Sequence, residues 1–250
     1  MWDEEDLRAS STPLWAQLAQ RLREGIENGE FAVGSLLPSE AQIVERFGVS
    51  RGTARAALNK TAAEGRAERR SGKGTRVLPA PVELPLNILT SFAEDMRSRG
   101  IDPGYREISI TVGHPREAAI ARALGMETGR EALRISRVLL ASDEAIAVSV
   151  SWLSPTLVPI GMEAESHRAA TGSLYSWLES RLGQRVSRGT EIIAASLADR
   201  ELAVQLNIHV GDPVLHSTRI AHTQSGEPVE YVDRYYRADR YRYRLELVRP

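Results

Sequence analysis

The first third of the chain carries apolar residues at the spacing of amphipathic helices. Leu18, Leu22 and Ile26 share one face of a segment that ends at an Asn-Gly pair, and this pattern predicts a first helix. A second helix is predicted after Ser39, because Gln42 three residues later completes a capping box.

A third helix and a hairpin complete this part of the chain. Ser50 is a predicted N-cap, Ala54 and Leu58 form an inward face, and the helix ends at a glycine. Two short extended segments, 67–70 and 75–78, flank a Gly-rich tip, which predicts a hairpin. Three helices followed by a hairpin predict a winged helix-turn-helix.

The rest of the chain alternates between strand and helix patterns. The patterns predict strands over 106–112, 132–140, 146–152, 189–196, 213–223, 228–236 and 243–248, and helices over 91–99, 115–124, 174–182 and 199–206. This alternation predicts an α+β domain on an antiparallel sheet. The expected organisation is an acidic, disordered tail over 1–12, the winged helix-turn-helix over 13–78, a Pro-rich linker over 79–85 and the second domain over 86–250.

Net charge becomes informative when it is mapped along the chain. The whole protein has a formal charge of −1. Residues 46–78 carry nine Lys or Arg against two Glu, whereas residues 1–45 carry three Arg against nine Asp or Glu. The basic groups therefore concentrate on the predicted third helix and hairpin, as expected of a surface that binds DNA phosphates.

Composition excludes several classes of function. The chain has no cysteine, which excludes disulfides and thiolate chemistry. Its five histidines lack metal-ligand spacing, and we find no catalytic or dinucleotide-binding motif, so we expect no catalytic residue, no metal and no cofactor. No apolar run is long enough to span a bilayer, and the acidic N-terminus does not resemble a signal peptide. We therefore expect a cytoplasmic protein with no membrane partner.

Candidate DNA contacts lie on the third helix and at the hairpin tip. Arg51 and Arg55 share the face opposite the apolar positions, and the hydroxyls of Ser50 and Thr53 can donate to phosphates. At the tip, glycines permit close backbone approach and basic side chains supply charge; the residues concerned are Arg70, Gly72, Lys73 and Gly74. A run of charges alone usually marks a solvated face, but its coincidence with a helix cap and a Gly-rich turn favours DNA binding.

These residues resemble the GntR family of bacterial transcription regulators. The resemblance rests on Leu37-Pro38-Ser39-Glu40, on Phe47-Gly48-Val49-Ser50-Arg51 with Thr53, Arg55, Ala57 and Leu58, on Glu64-Gly65 and on Gly72-Lys73-Gly74-Thr75. It implies that Ser50, Arg51, Thr53 and Arg55 match the residues with which the family contacts its operator, and that Gly72 enters the minor groove.

Some positions depart from the family pattern. Ala41 stands where an Arg that contacts DNA is common, and Thr61, Ala67 and Arg76 replace residues that are usually apolar. The last three changes reduce an already small core, so we expect a DNA-binding domain of marginal stability.

The second domain resembles the UTRA effector domain of the HutC subfamily, which has a chorismate-lyase-like fold. The resemblance covers about residues 84–250 and rests on Leu89-Thr90-Ser91-Phe92 with Glu94-Asp95-Met96 and Gly100, on Arg137, on Ser173-Leu174-Tyr175, on Gly226-Glu227-Pro228-Val229-Glu230 and on Tyr236-Arg237 with Asp239-Arg240-Tyr241. In members that sense sugar phosphates, the residues around the phosphate match Thr90, Ser91, Phe92, Arg137, Ser173 and Tyr175, and the residue matching Glu230 reaches the sugar.

The residues themselves also favour an anion site. Thr90 and Ser91 lie at the N-terminus of a predicted helix, where hydroxyls and free N–H groups attract anions. Arg137 lies among apolar strand residues and needs an anionic partner, which could also be a structural salt bridge. Leu139 stands where sugar-phosphate sensors often carry a second Arg, and Ser149 replaces a frequent Glu. We therefore expect a site with one guanidinium group.

The expected function is that of a ligand-responsive repressor. A single recognition helix reads few base pairs, so we expect a homodimer on a palindromic double-stranded operator. The effector that releases it is expected to be a small anionic metabolite, with a sugar phosphate as the leading candidate. Two alternatives stay open: an enzyme on a chorismate-lyase-like fold with an appended DNA-binding domain, and a ligand-independent plasmid-type repressor whose second domain only dimerises.

Overall fold

The computed structural model describes residues 7, 11–70, 72–85, 88–162, 167, 171–245 and 247. The chain divides into two compact units, Met1–Val82 and Glu83–Pro250. Most of the tail predicted over 1–12 lies outside the described residues.

The N-terminal unit is a winged helix-turn-helix, as the sequence predicts. Its elements are α1 (Leu14–Glu27), α2 (Glu40–Phe47), α3 (Arg51–Ala63), β1 (Ala67–Arg70) and β2 (Gly74–Val77). Ser39 and Gln42 form the predicted capping box of α2, each side chain accepting a hydrogen bond from the backbone N–H of the other. Gly48 ends α2 in the left-handed conformation, at φ 64°. Because residues with a Cβ rarely adopt that backbone conformation, the sharp turn into α3 depends on this glycine.

The core of the N-terminal unit is small and contains one buried hydroxyl. Leu18, Leu22, Ile43 and Leu58 are almost fully buried in it. Thr61 on α3 is 0% exposed, and its hydroxyl donates to the carbonyl of the residue one turn earlier, at 3.1 Å. This hydrogen bond satisfies the hydroxyl but adds no contact between elements, so a polar group occupies space that an apolar group could fill.

The C-terminal unit is an α+β domain on an antiparallel sheet, as predicted. Its elements are β3 (Val82–Pro85), α4 (Phe92–Ser98), β4 (Pro103–Gly113), α5 (Ala118–Ala123), β5 (Ala132–Ala141), β6 (Glu144–Leu153), α6 (Leu174–Leu182), β7 (Val186–Leu197), α7 (Arg200–Leu206), β8 (Pro213–Thr223), β9 (Pro228–Arg237) and β10 (Tyr241–Arg244). Six strands form one sheet in the order β4-β5-β6-β9-β8-β7, and all of its pairs are antiparallel.

Helices pack on both faces of this sheet. On one face, α5 packs with Trp152 and Tyr231. On the other face, α6 packs with Leu133 and Leu153. Because successive residues of a strand point to opposite faces, this alternation decides which polar residues of β5, β6, β8 and β9 are buried beneath α6.

The segment predicted as a Pro-rich linker is in part a strand, which corrects the prediction for its last four residues. Residues 82–85 form β3, which pairs with β10 in a separate two-stranded sheet. The predicted last strand, 243–248, is observed as Tyr241–Arg244. None of the helices in the described parts of the chain is long and apolar enough to cross a membrane.

An ion pair between a buried arginine and a partly buried glutamate fixes the edge of the large sheet. Arg219 on β8 is opposite Glu191 on the edge strand β7, and its guanidinium donates to the Glu191 carboxylate at 2.7 and 3.0 Å. Ser217 and Tyr243 donate to the other carboxylate oxygen. Burial alone would raise the pKa of Glu191, but Arg219 and Ser217 outweigh it and hold the pKa below its ordinary value.

We expect Thr61→Val to stabilise the N-terminal unit by about 1 kcal/mol. The substitution keeps the shape of the side chain and removes a desolvated hydroxyl, while the carbonyl of Ala57 keeps its helical hydrogen bond. Amide hydrogen exchange of peptides that cover α3 measures the change. Thr111→Val, at an exposed position of β4, is the control and should alter exchange in α3 by nothing measurable. Faster exchange in the Thr61 variant would contradict the prediction.

We expect Glu191→Gln to destabilise the C-terminal unit by about 3 kcal/mol at pH 7, because it leaves the Arg219 charge buried without its anionic partner. Since folding lowers the Glu191 pKa, the carboxylate stabilises the fold above its unfolded pKa of about 4.3 and loses this effect as the pH falls through the folded value. Urea unfolding at several pH values should therefore show a cost that shrinks below about pH 4. The exposed Glu201→Gln serves as the control, and a pH-independent cost would refute the assignment.

Candidate functional site

The third helix presents polar residues to solvent along one face. Ser50 is the N-cap of α3, and its hydroxyl accepts from the Thr53 backbone N–H at 3.1 Å and lies 2.9 Å from the Thr53 hydroxyl. Arg51 and Arg55 are exposed, while Ala54 on the opposite face is fully buried. The predicted contact residues of this helix therefore lie together at its N-terminal end, where the backbone N–H groups also favour a phosphate.

Glu40 links the third helix to the hairpin. Its carboxylate, at the first position of α2, accepts from the Arg55 guanidinium at 3.1 and 3.2 Å. It also accepts from Arg69 on β1 at 2.7 Å, and Arg69 donates to Asn59 on α3 at 2.6 Å. The hydrogen bonds from Arg55 and Arg69 lower the pKa of Glu40. Sequence reasoning missed Glu40, because its two partners lie 15 and 29 residues away along the chain.

The hairpin tip exposes backbone and charge together. Gly72 and Gly74 have φ values of 71° and 90°, which only glycine adopts readily. A Cβ built on Gly72 would meet nothing within 4 Å, so the backbone at this position is open to a close approach. Lys73 between them is exposed, and Arg70 bonds Glu68 at 2.9 Å.

The predicted effector residues lie on and above the face of the sheet that α6 covers. Arg137 on β5 is opposite Ser149 on β6, which is opposite Arg234 on β9, so the three share a cross-strand row. All three are at most 4% exposed. The sequence indicated one guanidinium group at this place, whereas the structure also buries that of Arg234, on the far side of β6 from Arg137.

Several buried polar atoms of this cluster make no hydrogen bond within the described chain. They are Tyr175 Oη, Glu230 Oε2, Arg234 Nε and Ser149 Oγ. The other Glu230 oxygen accepts from Ser151 at 2.6 Å. Burial and, next, the nearby Glu230 raise the pKa of the Tyr175 phenol to about 12, so this group remains a neutral donor. Each unsatisfied buried polar group costs about 1–3 kcal/mol, and their concentration at one place is unusual for a structural core.

Tyr105 connects the cluster to the first residue of α4. The Arg137 guanidinium lies over the Tyr105 ring, 4.8 Å from its centroid, and the Phe92 ring meets Tyr105 edge-on at 5.9 Å. Thr90 contributes its backbone carbonyl, which accepts from Arg219 at 2.9 Å. Phe92 and Arg137 thus both contact the Tyr105 ring.

Ser91 and Ser173, 82 residues apart, are hydrogen-bonded to each other at 3.1 Å. Ser91 caps α4 and Ser173 caps α6. The Glu94 carboxylate accepts from the Ser91 backbone N–H at 3.0 Å and from the Ser173 hydroxyl at 2.7 Å. The sequence indicated free N–H groups and hydroxyls at this helix start, whereas in the structure the Ser91 N–H donates to the Glu94 carboxylate and the Ser91 hydroxyl accepts from the Glu94 backbone N–H.

The alternation of inward and outward residues along β9 could have revealed that Arg234 is buried. Every second residue of β9 from Glu230 to Tyr236 is buried, namely Glu230, Val232, Arg234 and Tyr236. Because alternate residues of a strand share one face, this pattern places Arg234 on the buried face. The partner of Arg219 could not be found in this way, because Glu191 is half-exposed on an edge strand. Among the described residues, no group of three or more His, Asp or Glu is placed to hold a metal ion.

Comparisons with known proteins agree with the two units. The family described as bacterial regulatory proteins, gntR family, matches residues 14–77, and the UTRA domain family matches residues 98–242. The chain is 36% identical over 234 residues to the HTH-type transcriptional repressor NagR of Bacillus subtilis, covering 94% of each chain. It is 27% identical to the mannosyl-D-glycerate transport/metabolism system repressor MngR of Escherichia coli, over 93% of this chain and 95% of the other.

A solved structure has the same architecture over almost the whole length. PhnF from Mycobacterium smegmatis matches with a TM-score of 0.64 and 26% identity, covering 95% of this chain and 100% of that one. These relatives are transcription regulators and not enzymes, which removes the enzyme alternative. The chain belongs to the GntR family of bacterial regulatory proteins and carries a UTRA domain.

Proposed function

We propose that the protein is an effector-responsive repressor that binds a palindromic operator as a homodimer. The observation that carries the DNA-binding part is the pairing of an exposed, Arg-bearing N-terminus of α3 with an open, glycine-tipped hairpin in one unit. One such unit reads only a few base pairs, and two half-sites bring the affinity to the level of specific regulators at cellular salt.

The DNA contacts have distinct roles in this proposal. Arg51 and Arg55 on α3 read base edges in the major groove, where a guanidinium pairs well with guanine. Ser50 and Thr53 donate to phosphates at the start of the helix. The remaining contacts come from the hairpin tip, namely Arg70, Gly72, Lys73 and Gly74.

The effector is a small anion that binds at the buried polar cluster. Arg137 and Arg234 are buried on β5 and β9, the two strands that flank β6, and their like charges oppose one another. An anion placed between them relieves this repulsion and supplies acceptors to Arg234 Nε and the Tyr175 hydroxyl. Ser91, Ser173, Thr90 and Phe92 border the same site.

The polar remainder of the effector fits a sugar. Glu230 is 0% exposed with one carboxylate oxygen that makes no hydrogen bond in the described chain, and a sugar hydroxyl or amine can donate to it. Two arginines instead of one favour a phosphate over a carboxylate, since each charge-assisted contact contributes about 1.5–3 kcal/mol. A sugar phosphate is therefore our first candidate for the effector. MngR, whose name refers to mannosyl-D-glycerate, keeps a sugar carboxylate as the second candidate.

A repressor without a ligand is the remaining alternative. It would have no reason to retain unsatisfied polar atoms in a buried cluster, whereas a site that binds a ligand only part of the time retains them by necessity. A shift in melting temperature with an added anion distinguishes the two, because a bound ligand stabilises the folded state.

The DNA probe is a duplex that the wild-type protein selects from a random pool. We expect Arg51→Ala to weaken binding to this duplex by about 1–3 kcal/mol, as for the loss of a base contact. Fluorescence anisotropy over a series of salt concentrations measures this. Arg116→Ala, an exposed position of the C-terminal unit, removes the same charge and should leave affinity unchanged. Equal affinity of the Arg51 variant and the wild type would refute the role of α3.

We expect glucosamine-6-phosphate or N-acetylglucosamine-6-phosphate to bind in calorimetry more tightly than sulfate or small carboxylates, and to lower affinity for the selected duplex. Arg137→Lys and Arg234→Lys keep the charge but lose the planar donor geometry, so each should weaken binding about ten- to hundredfold. Arg116→Lys is the control. Absence of binding by every one of these anions below millimolar concentration would show that the anion-site proposal is wrong.

A further inference from the structure

Glu40 is an acidic residue in contact with two arginines of the predicted DNA-binding unit. It receives two hydrogen bonds from Arg55 and one from Arg69, so a single carboxylate joins α2, α3 and β1. The Arg55 side chain is 62% exposed and that of Glu40 is 22% exposed. Exposed ion pairs contribute little to the stability of a fold, so stability alone does not account for this arrangement.

The geometry constrains the orientation of Arg55. A free arginine side chain on a helix surface samples many rotamers, and binding a base requires one of them. The two-point contact with the Glu40 carboxylate holds both the position and the plane of the guanidinium before DNA arrives. Arg69 contacts both Glu40 and Asn59, which holds β1 against α2 and α3.

We propose that Glu40 is a specificity-determining positioning residue, which orients Arg55 for one base step and opposes binding to DNA of other sequence. The proposal rests on the proposed function, in which α3 reads the operator. The negative charge of Glu40 reduces the attraction of this surface for phosphates at every sequence. At the correct site, the pre-oriented guanidinium more than offsets that loss, because less side-chain freedom has to be removed on binding. Glu40 therefore lowers general affinity and raises the ratio between specific and non-specific affinity.

The test compares full-length wild type with Glu40→Gln on two DNA probes. One is the duplex that wild type selects from a random pool, and the other is a duplex of scrambled sequence. We expect the variant to bind the scrambled duplex more tightly, with a salt dependence steeper by up to about 0.9 in log–log slope. The ratio of the two affinities should fall about three- to tenfold, which is the factor expected from ordering one long side chain.

Two further variants separate positioning from charge. Glu45→Gln removes the same charge from the exposed side of the same helix and should change the affinity ratio by less than twofold. Glu40→Asp keeps the charge and should restore part of the ratio. In an Arg55→Ala background, Glu40→Gln should no longer lower the ratio, because the residue that it positions is gone.

The outcomes are decisive in each direction. A fall in the ratio that disappears in the Arg55→Ala background supports the positioning role. An unchanged ratio with equal tightening on both probes shows that Glu40 acts only through its charge and overturns the proposal. If Arg55→Ala and Arg51→Ala both leave the ratio unchanged, the assignment of α3 as the reading helix fails instead, which distinguishes that failure from this one.

Discussion

The C-terminal unit depends on how its buried guanidinium groups are compensated. Arginine stays protonated in proteins, so each buried side chain must find acceptors, rings or an anion. Arg219 finds the carboxylate of Glu191 and the carbonyl of Thr90, and it thereby ties the edge strand β7 to the segment that leads into α4. Arg137 lies over Tyr105, whereas Arg234 keeps a buried N–H that bonds to no acceptor in the described chain. The structural role of Arg219 and the proposed sensing role of Arg137 and Arg234 thus belong to residues of one type on one sheet face.

The N-terminal unit uses the same side chain under opposite conditions. Its arginines are exposed, where water and salt screen their charges and an ion pair is weak. Glu40 cannot stabilise this unit much through Arg55, but it can restrict where the guanidinium points. In the buried cluster, by contrast, dielectric screening is small, and removing one partner of a pair costs several kcal/mol. Burial therefore decides whether an Arg–carboxylate contact acts on stability or on orientation.

Local signals explain why much of the fold was predictable. The capping box of Ser39 and Gln42 lies within four residues, and the observed helix begins where it predicts. The alternation along β8 and β9 identified both strands. The site was less accessible, because the pairing of Arg219 with Glu191 and of Arg55 with Glu40 joins distant parts of the chain. The strand β3 was hidden by its Pro-rich neighbourhood, and it pairs with β10, about 160 residues later.

In the function that we propose, the response to an effector comes from incomplete satisfaction of the polar groups in the core. Glu230 and Tyr175 are buried with polar atoms that make no hydrogen bond in the described chain, and each such atom lowers the stability of the effector-free fold by about 1–3 kcal/mol. A ligand that supplies the missing hydrogen-bond partners recovers that free energy. It therefore binds more tightly than burial of its own surface alone would allow. Replacing the cluster by apolar residues would stabilise the sheet and abolish the proposed response. The same atoms therefore limit the stability of the domain and set how strongly an effector can shift it.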